Sequence, residues 1–160
     1  IDEVAYSSKW HAHSVKNKKG VALERIDPDA ATQDAANWTS ASETVGYGTP
    51  GYQNSQYKDA SSGGATGIEP PVWIEESGSY TVSYLLDRPG YSCRAFVFNT
   101  SGLRVADISN HELLGISGKI TWSGVANNGS PLQTGVYIFY AEIYHPEGTV
   151  KRFKKAFLIR

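Results

Sequence analysis

The feature that most constrains the fold is the last third of the chain, residues 95–160, where apolar and polar residues alternate. Clusters of Gly, Asn, Ser and Pro interrupt this alternation about every ten residues, which is typical of antiparallel strands joined by tight turns. Because side chains alternate between the two faces of a strand, one face of the strand at 136–145 is expected in the core. That face and its expected partners are Tyr137, Phe139, Ala141 and Ile143 with Leu85, Val97 and Trp122. The pattern predicts an all-β protein with an antiparallel β-sandwich at its C-terminal end.

The beginning of the chain is less regular. Residues 1–7 and 20–26 alternate imperfectly and predict two short strands. Residues 27–57 contain few long apolar runs, and a loop of this length inside a compact protein is usually packed down by its own side chains. We therefore predict a partial β segment with a long ordered loop, anchored by aromatic residues such as Trp38.

A stretch rich in Gly and Ser separates this segment from the regular strands. It spans residues 58–67, KDASSGGATG, and is typical of a flexible linker. In the strands that follow, a single helical turn is expected around Glu112–Leu114. The composition therefore predicts three parts, which are a partial β segment (1–57), the linker (58–67) and the β-sandwich (68–160).

Charge and composition exclude some classes of protein. The formal net charge is −1, whereas general nucleic-acid and membrane-surface binders carry a clear basic excess. No apolar run is long enough to cross a bilayer, so no membrane insertion is predicted for this segment. The chain contains no methionine, and we expect a processed product or a piece of a longer protein. The single cysteine, Cys93, alternates with Ala95 and Val97 and is expected to be a buried apolar residue.

Residues 91–143 carry a series of turn motifs that resemble a known family. The motifs are, in chain order, Asn99-x-x-Gly102, Trp122-x-Gly124, the polar turn Asn127–Gly129, and Gly135-x-Tyr137. This series resembles the Ig-like domain of the flagellar hook-capping protein family, which recurs at the C-termini of secreted and surface proteins, especially in the Bacteroidetes. Ser123 stands where that family often has Asp. The resemblance implies an Ig-like sandwich in which these residues cap turns and seat an aromatic ring, and none is catalytic.

The first segment resembles the closing half of a bacterial lamin-tail domain. The matching residues are Leu23-Glu24-Arg25-Ile26, Asn37-Trp38 and Gly48-Thr49-Pro50-Gly51-Tyr52-Gln53-Asn54. Together the two resemblances imply a secreted or cell-surface multidomain protein rather than a particular activity. A related interpretation is that residues 68–160 are a C-terminal sorting domain read by the type IX secretion system of the Bacteroidetes. Such domains are also small Ig-like sandwiches that end in a basic strand.

The inventory of catalytic and metal-binding residues is thin. The chain has no Gly-x-Ser-x-Gly elbow and no phosphate-cradling glycine-rich loop before a helix. His11 and His13 supply two imidazoles without a third ligand nearby. Asp27, Asp29 and Asp34 lack the spacing of a calcium loop and are expected to start turns or cap a short helix. We predict no enzyme activity, no metal and no cofactor.

Two basic clusters are the candidate binding surfaces. The first combines charge with aromatic and imidazole rings, the usual composition of single-stranded nucleic-acid sites, and consists of Lys9, Trp10, His11, His13, Lys16, Lys18 and Lys19. The second is a docking strand near the C-terminus, formed by Lys151, Arg152, Lys154 and Lys155. Each has a simpler interpretation, because exposed lysines are commonly solvated and because lysines on an edge strand discourage aggregation.

The sequence therefore predicts a non-catalytic structural or adhesive module of a secreted or cell-surface bacterial protein. The expected partners are the secretion machinery, other domains of the parent protein or a cell-surface ligand. Two alternatives stay open, a type IX sorting domain and a weak nucleic-acid-binding module that uses the loop at 9–19.

Overall fold

A computed structural model describes residues 3–58 and 65–160, and this part of the chain is all-β with no α-helix. Three single-turn 3₁₀ helices lie at Ser8–Trp10, Ala35–Asn37 and Glu43–Val45. The strands are β1 (Leu23–Arg25), β2 (Trp38–Ser40), β3 (Gly67–Ile68), β4 (Val72–Ile74), β5 (Ser79–Leu85), β6 (Ser92–Phe98), β7 (Arg104–Leu113), β8 (Ser117–Trp122), β9 (Gly135–Tyr144) and β10 (Val150–Ile159). Within the described residues, no helix is long and apolar enough to span a membrane.

Strands β3 to β10 form two antiparallel sheets that enclose a common core. One sheet has the order β10-β9-β6-β7. In the other, β5 pairs with β8 on one side and with β3 and β4 on the other. The predicted antiparallel β-sandwich is therefore confirmed. Each sheet turns one apolar face inward, as expected when antiparallel sheets pack face to face.

The core follows the alternation seen in the sequence. Phe139, Ala141 and Ile143 are fully buried, and Val97 and Trp122 pack with them as predicted. The prediction for Leu85 is wrong, since this side chain is 42% exposed whereas Leu86 is 0% exposed. The inner face of β5 carries Tyr80, Val82 and Tyr84, so Leu85 points outward, and Leu86 is buried just beyond the end of the strand.

Two local expectations are also wrong. Residues 112–114 form no helical turn, because β7 continues to Leu113 and pairs with β6. Three shifts of register between these strands, which are β-bulges or irregularities, let the pairing continue. Residues 3–7 form no strand, and of residues 20–26 only 23–25 are a strand. Cross-strand pairing decided these outcomes, since among residues 3–58 and 65–160 β1 pairs with β2 alone, over three residues.

The N-terminal segment packs onto the sandwich through backbone and buried polar contacts. The Ile116 N–H donates to the Ser55 carbonyl at 2.9 Å, and the buried Gln56 side chain donates to the carbonyls of Ser40 and Leu114 at 3.1 Å each. Of the predicted linker, residues 59–64 lie outside the described residues, and Gly67 already belongs to β3.

Candidate interaction surfaces

The residues behind the lamin-tail resemblance hold the long loop in place. The carboxylate of Glu24, which is 3% exposed, accepts hydrogen bonds from the Thr49 hydroxyl at 2.6 Å, the Ser55 hydroxyl at 2.7 Å and the Gln56 N–H at 3.0 Å. A buried carboxylate must be hydrogen-bonded to remain stable. Glu24 therefore joins β1 to the end of the loop, which is a structural role.

The neighbouring motif residues act in the same way. The buried Asn37 side chain bonds both the N–H and the carbonyl of Asp27, at 2.9 and 2.8 Å. The Trp38 indole donates to the Thr32 carbonyl at 2.8 Å, and the Asn54 amide donates to the Arg25 carbonyl at 3.0 Å. The predicted long ordered loop is thus held by side chains that satisfy backbone groups.

Two of the three aspartates start a turn or cap a short helix, as expected. Asp27 accepts the N–H of Asp29 at 2.8 Å, and Asp34 caps a 3₁₀ helix by accepting the Ala36 N–H at 2.9 Å. Among residues 3–58 and 65–160, no three His, Cys, Asp or Glu side chains are grouped so that they could hold a metal ion.

The sandwich motifs cap turns and seat an aromatic ring, as the hook-capping resemblance implies. Asn99 accepts the N–H groups of Ser101 and Leu103, and Gly102 has a φ of 80°. The Trp122 indole donates to the Val125 carbonyl at 3.0 Å, and the Tyr137 hydroxyl donates to a carbonyl in the preceding turn at 3.1 Å.

Cys93 lies in the core, as predicted. Its pKa is raised to about 12, chiefly because burial disfavours the thiolate. It therefore has no thiolate at neutral pH and is chemically inert.

The structure divides the basic N-terminal cluster into two groups. On one side Trp10 stacks on Trp38 with ring centroids 6.2 Å apart. His11 bonds the Ser40 hydroxyl at 2.9 Å, and its pKa is lowered by burial and by the charge of Lys18. These rings are committed to packing the loop, while Lys9 beside them is exposed.

The second group lines another cleft, and its member His13 also borders the hollow beside Trp10 and His11. His13, Lys16 and Lys19 are exposed and line a cleft of about 680 Å³ against the sandwich. Lys18 is turned back, since its ammonium group donates to the Ser8 carbonyl at 2.6 Å. Trp10 and His11 therefore line one hollow, Lys16 and Lys19 line another, and His13 borders both.

The docking strand is also divided, because alternate residues of β10 face opposite ways. Lys151 is half-buried on the side of β10 that faces the other sheet. Its ammonium group donates to the Thr66 hydroxyl at 2.6 Å and to the Asp87 carboxylate at 2.9 Å. Lys155 is half-buried on the same side. Arg152 and Lys154 lie on the outer face of the sheet and are exposed.

The outer face of the β10-β9-β6-β7 sheet carries exposed apolar residues beside the charged Arg152 and Lys154. Leu158 and Val136 are neighbours in register and are 48% and 52% exposed. A hollow of about 280 Å³ lies beside them, lined by Phe98, Gly102, Ile138, Tyr140 and Lys154. Antiparallel sheets normally place polar residues on the solvated face.

Sequence reasoning missed a charged cluster around Tyr91. Arg88 and Lys151 lie over its ring, 5.8 and 5.6 Å from the centroid. Arg88 also pairs with Glu147 of the β9–β10 turn at 2.5 Å. These residues are far apart in the chain, and no local pattern signals that they meet.

The described residues therefore form an all-β module in which the motif residues named above bond backbone groups and hold turns. No family model matches the chain, and a search of curated proteins finds no match. Among solved structures, the chain is similar to FlgD from P. aeruginosa, with 18% identity over 53% of this chain and 65% of that one, at a TM-score of 0.42. It is also similar to PorZ, a surface component of the type-IX secretion system of Porphyromonas gingivalis, with 17% identity over 61% of this chain and 12% of that one, at a TM-score of 0.33. The chain thus spans less than two thirds of either protein, and scores at this level do not establish a common fold.

Proposed function

We propose that the protein is a non-catalytic structural or adhesive module of a secreted or cell-surface bacterial protein, and that it docks its partner along β10. The observation that carries this proposal is an open sheet edge. β10 pairs with β9 over ten residues, and in the described part of the chain no strand pairs with its other side.

A long, regular edge of this kind is a template for adding a strand. Unpaired N–H and C=O groups along the edge can bond an extended segment, and the flanking side chains then select its sequence. Beside the β10 edge these side chains are Arg152 and Lys154, followed by Ala156 and the exposed Leu158.

Charge favours one occupant, an extended segment of a partner protein in which acidic and apolar residues alternate. Lys154 pairs with no carboxylate among the described residues, and the Arg152–Glu142 pair is long at 3.3 Å and largely exposed. A second copy of the chain is disfavoured, since two β10 strands would bring like charges together.

A synthetic peptide that alternates glutamate with valine tests the docking strand. We expect it to bind the full chain, to slow amide exchange at 150–159, and to weaken about tenfold or more in the double variant Arg152→Glu, Lys154→Glu. The matched control is Lys119→Glu, an exposed lysine on the edge strand β8. Equal binding of a lysine–valine peptide, or of both variants, would show that the lysines serve only to prevent aggregation.

We further propose that residues 1–57 are related to the lamin-tail family and that they, the linker at 58–67 and the sandwich at 68–160 are successive parts of the parent. What supports the relationship is that the signature residues hold the loop in place. Glu24, Asn37 and Trp38 each bond loop residues, and Asn54 of the loop donates to the Arg25 carbonyl of β1.

The second candidate, a type IX sorting domain, is favoured by the same open, basic edge of β10. It predicts that a parent protein lacking residues 68–160 stays inside the cell while the intact parent reaches the surface. Export of both forms would exclude sorting and leave the docking role. Nucleic-acid binding gains less support, because Trp10 and His11 are engaged within the loop.

A further inference from the structure

The cleft of about 680 Å³ between the N-terminal loop and the sandwich has the features of a ligand site. Its volume falls in the range of small-molecule pockets, roughly 300–1,000 Å³. Five stretches of the chain build its walls, which are the loop at 13–21, the turn at 43–47, and residues of the strands β6, β7 and β9.

Strained backbone is concentrated at this cleft. Tyr47 and His111 have φ values of 65° and 67°, and among the described residues they are the non-glycine residues with positive φ. Both line the cleft. His111 is the extra residue of a β-bulge, since Cys93 pairs with Glu112 while Arg94 pairs with Asn110. Such positions cost about 1–3 kcal/mol each and cluster at ligand sites.

A buried polar group at the same place lacks a partner. The Tyr144 hydroxyl is shielded from solvent and makes no hydrogen bond with the described residues. Its ring lines the cleft and contacts the edge of His111, with centroids 5.5 Å apart. An unsatisfied buried hydroxyl is costly, so a hydrogen-bonding group that reached it from the cleft would be stabilised there.

The other residues that line the cleft indicate which kind of ligand it favours. Lys16 and Lys19 bring two positive charges against the one carboxylate of Glu43. Side chains that can donate or accept surround them, namely Ser14, Asn17, Ser92, Asn110 and Tyr47. Burial, and then the hydrogen bond and charge of Glu43, raise the pKa of Tyr47 to about 12.

We infer that this cleft binds a small polyhydroxylated anion, the class of sugar acids and sugar phosphates. Lys16 and Lys19 face its anionic group, and the Tyr144 hydroxyl bonds one of its oxygens. The N-terminal loop and the sandwich each contribute part of the site, so the site exists because the two pack together.

The test is a titration of the full chain followed by amide NMR, with glucuronate and glucose 6-phosphate as ligands and neutral glucose as the control. We expect saturable shifts confined to residues 13–19, 43–47, 110–112 and 144. Tyr144→Phe should weaken binding about tenfold, since it removes one hydrogen bond and keeps the ring. The matched change is Tyr140→Phe, whose hydroxyl bonds Glu142 outside the cleft at 3.1 Å, and it should leave affinity unchanged.

Lys16→Gln with Lys19→Gln should weaken binding of either anion about tenfold or more, whereas Lys9→Gln with Lys58→Gln should not. Binding of glucuronate alone would identify a carboxylate ligand, and binding of glucose 6-phosphate alone a phosphate ligand; both support the site. Glucose binding as tight as the anions, shifts that do not saturate, or affinity unaffected by the Tyr144 and lysine variants would overturn the inference. Spectra unchanged outside the cleft confirm that each variant is folded.

Discussion

The N-terminal segment and the sandwich are stabilised by different means. The sandwich buries Phe139, Ala141 and Ile143 among the apolar side chains of two sheets. The segment before it has two strands of three residues each, and its most buried large groups include Glu24 and Gln56. One region depends on apolar packing and the other on hydrogen bonds to a few buried polar groups.

This difference implies different responses to mutation. An apolar core loses free energy in proportion to the volume removed. A buried hydrogen-bond network loses free energy when one member is removed, because the remaining donors and acceptors are left unsatisfied. Where the two regions meet, Tyr84 belongs to both, since its hydroxyl lies 3.2 Å from that of Thr44 and accepts the Gly115 N–H at 3.3 Å.

The largest effect is expected for Phe139→Ala in the core of the sandwich. This side chain is 0% exposed, and the cavity should lower the free energy of unfolding by about 3–5 kcal/mol. Urea unfolding measures the loss. Val136→Ala on the same strand, at a site 52% exposed, should change it by less than about 0.5 kcal/mol. Similar losses at both sites would contradict the assignment of the inner face.

Glu24→Ala tests the buried hydrogen-bond network. It leaves the Gln56 N–H and two hydroxyl groups without their acceptor, and we expect a loss of about 2–3 kcal/mol. Hydrogen exchange should accelerate at residues 23–25 and 55–57 more than at 139–143. Glu76→Ala, an exposed carboxylate, is the control. Equal acceleration in both regions would mean that they unfold as one unit.

Gly115→Ala tests the contact between the regions. A Cβ placed at Gly115 would lie 2.5 Å from the Ser55 carbonyl oxygen, so the backbone bond from Ile116 to Ser55 must shift. We expect a loss of about 1–2 kcal/mol in thermal unfolding. The control Gly67→Ala meets nothing closer than 4.0 Å. Stability unchanged in Gly115→Ala would indicate that the N-terminal segment can move aside at no cost.

The smallest effect is a pH dependence within the sandwich. Burial alone would raise the pKa of Asp87, but hydrogen bonds from Thr66 and Lys151 outweigh it and hold that pKa below its ordinary value. A lowered folded pKa stabilises above the unfolded value, about 4, and the stabilisation is lost as the pH falls through the folded pKa.

The pair is partly exposed, so the effect should be below about 1 kcal/mol. Urea unfolding should show that the free energy of unfolding falls more between pH 5 and pH 3 in the wild type than in Asp87→Asn. An equal decrease in the two proteins would show that Asp87 does not contribute to the pH dependence of stability.

The sequence correctly indicated the features that depend on neighbours in the chain. The alternation over residues 95–160 indicated antiparallel strands there and the buried face of β9, and the Asn and Gly residues indicated the turns. Side-chain direction repeats every two residues in any strand, and a turn needs its special residues within four positions. Such signals are present before any tertiary contact forms.

The errors arose where a distant strand decided the outcome. Residues 112–114 joined β7 because β6 offered hydrogen bonds, and Leu85 was exposed because the face of β5 was set by its partner sheet. The basic clusters were split for the same reason, since charge counts along the chain do not tell which way each side chain points.

The sequence by itself therefore determined the fold class, the strand rhythm and the structural role of the turn motifs. Only the tertiary structure decided which lysines are exposed, how Glu24 meets Ser55, and that Tyr47, His111 and Tyr144 share one cleft. The reason is physical: local conformation follows from neighbours a few residues apart, whereas a surface or a cleft is made by segments that meet after the chain has folded.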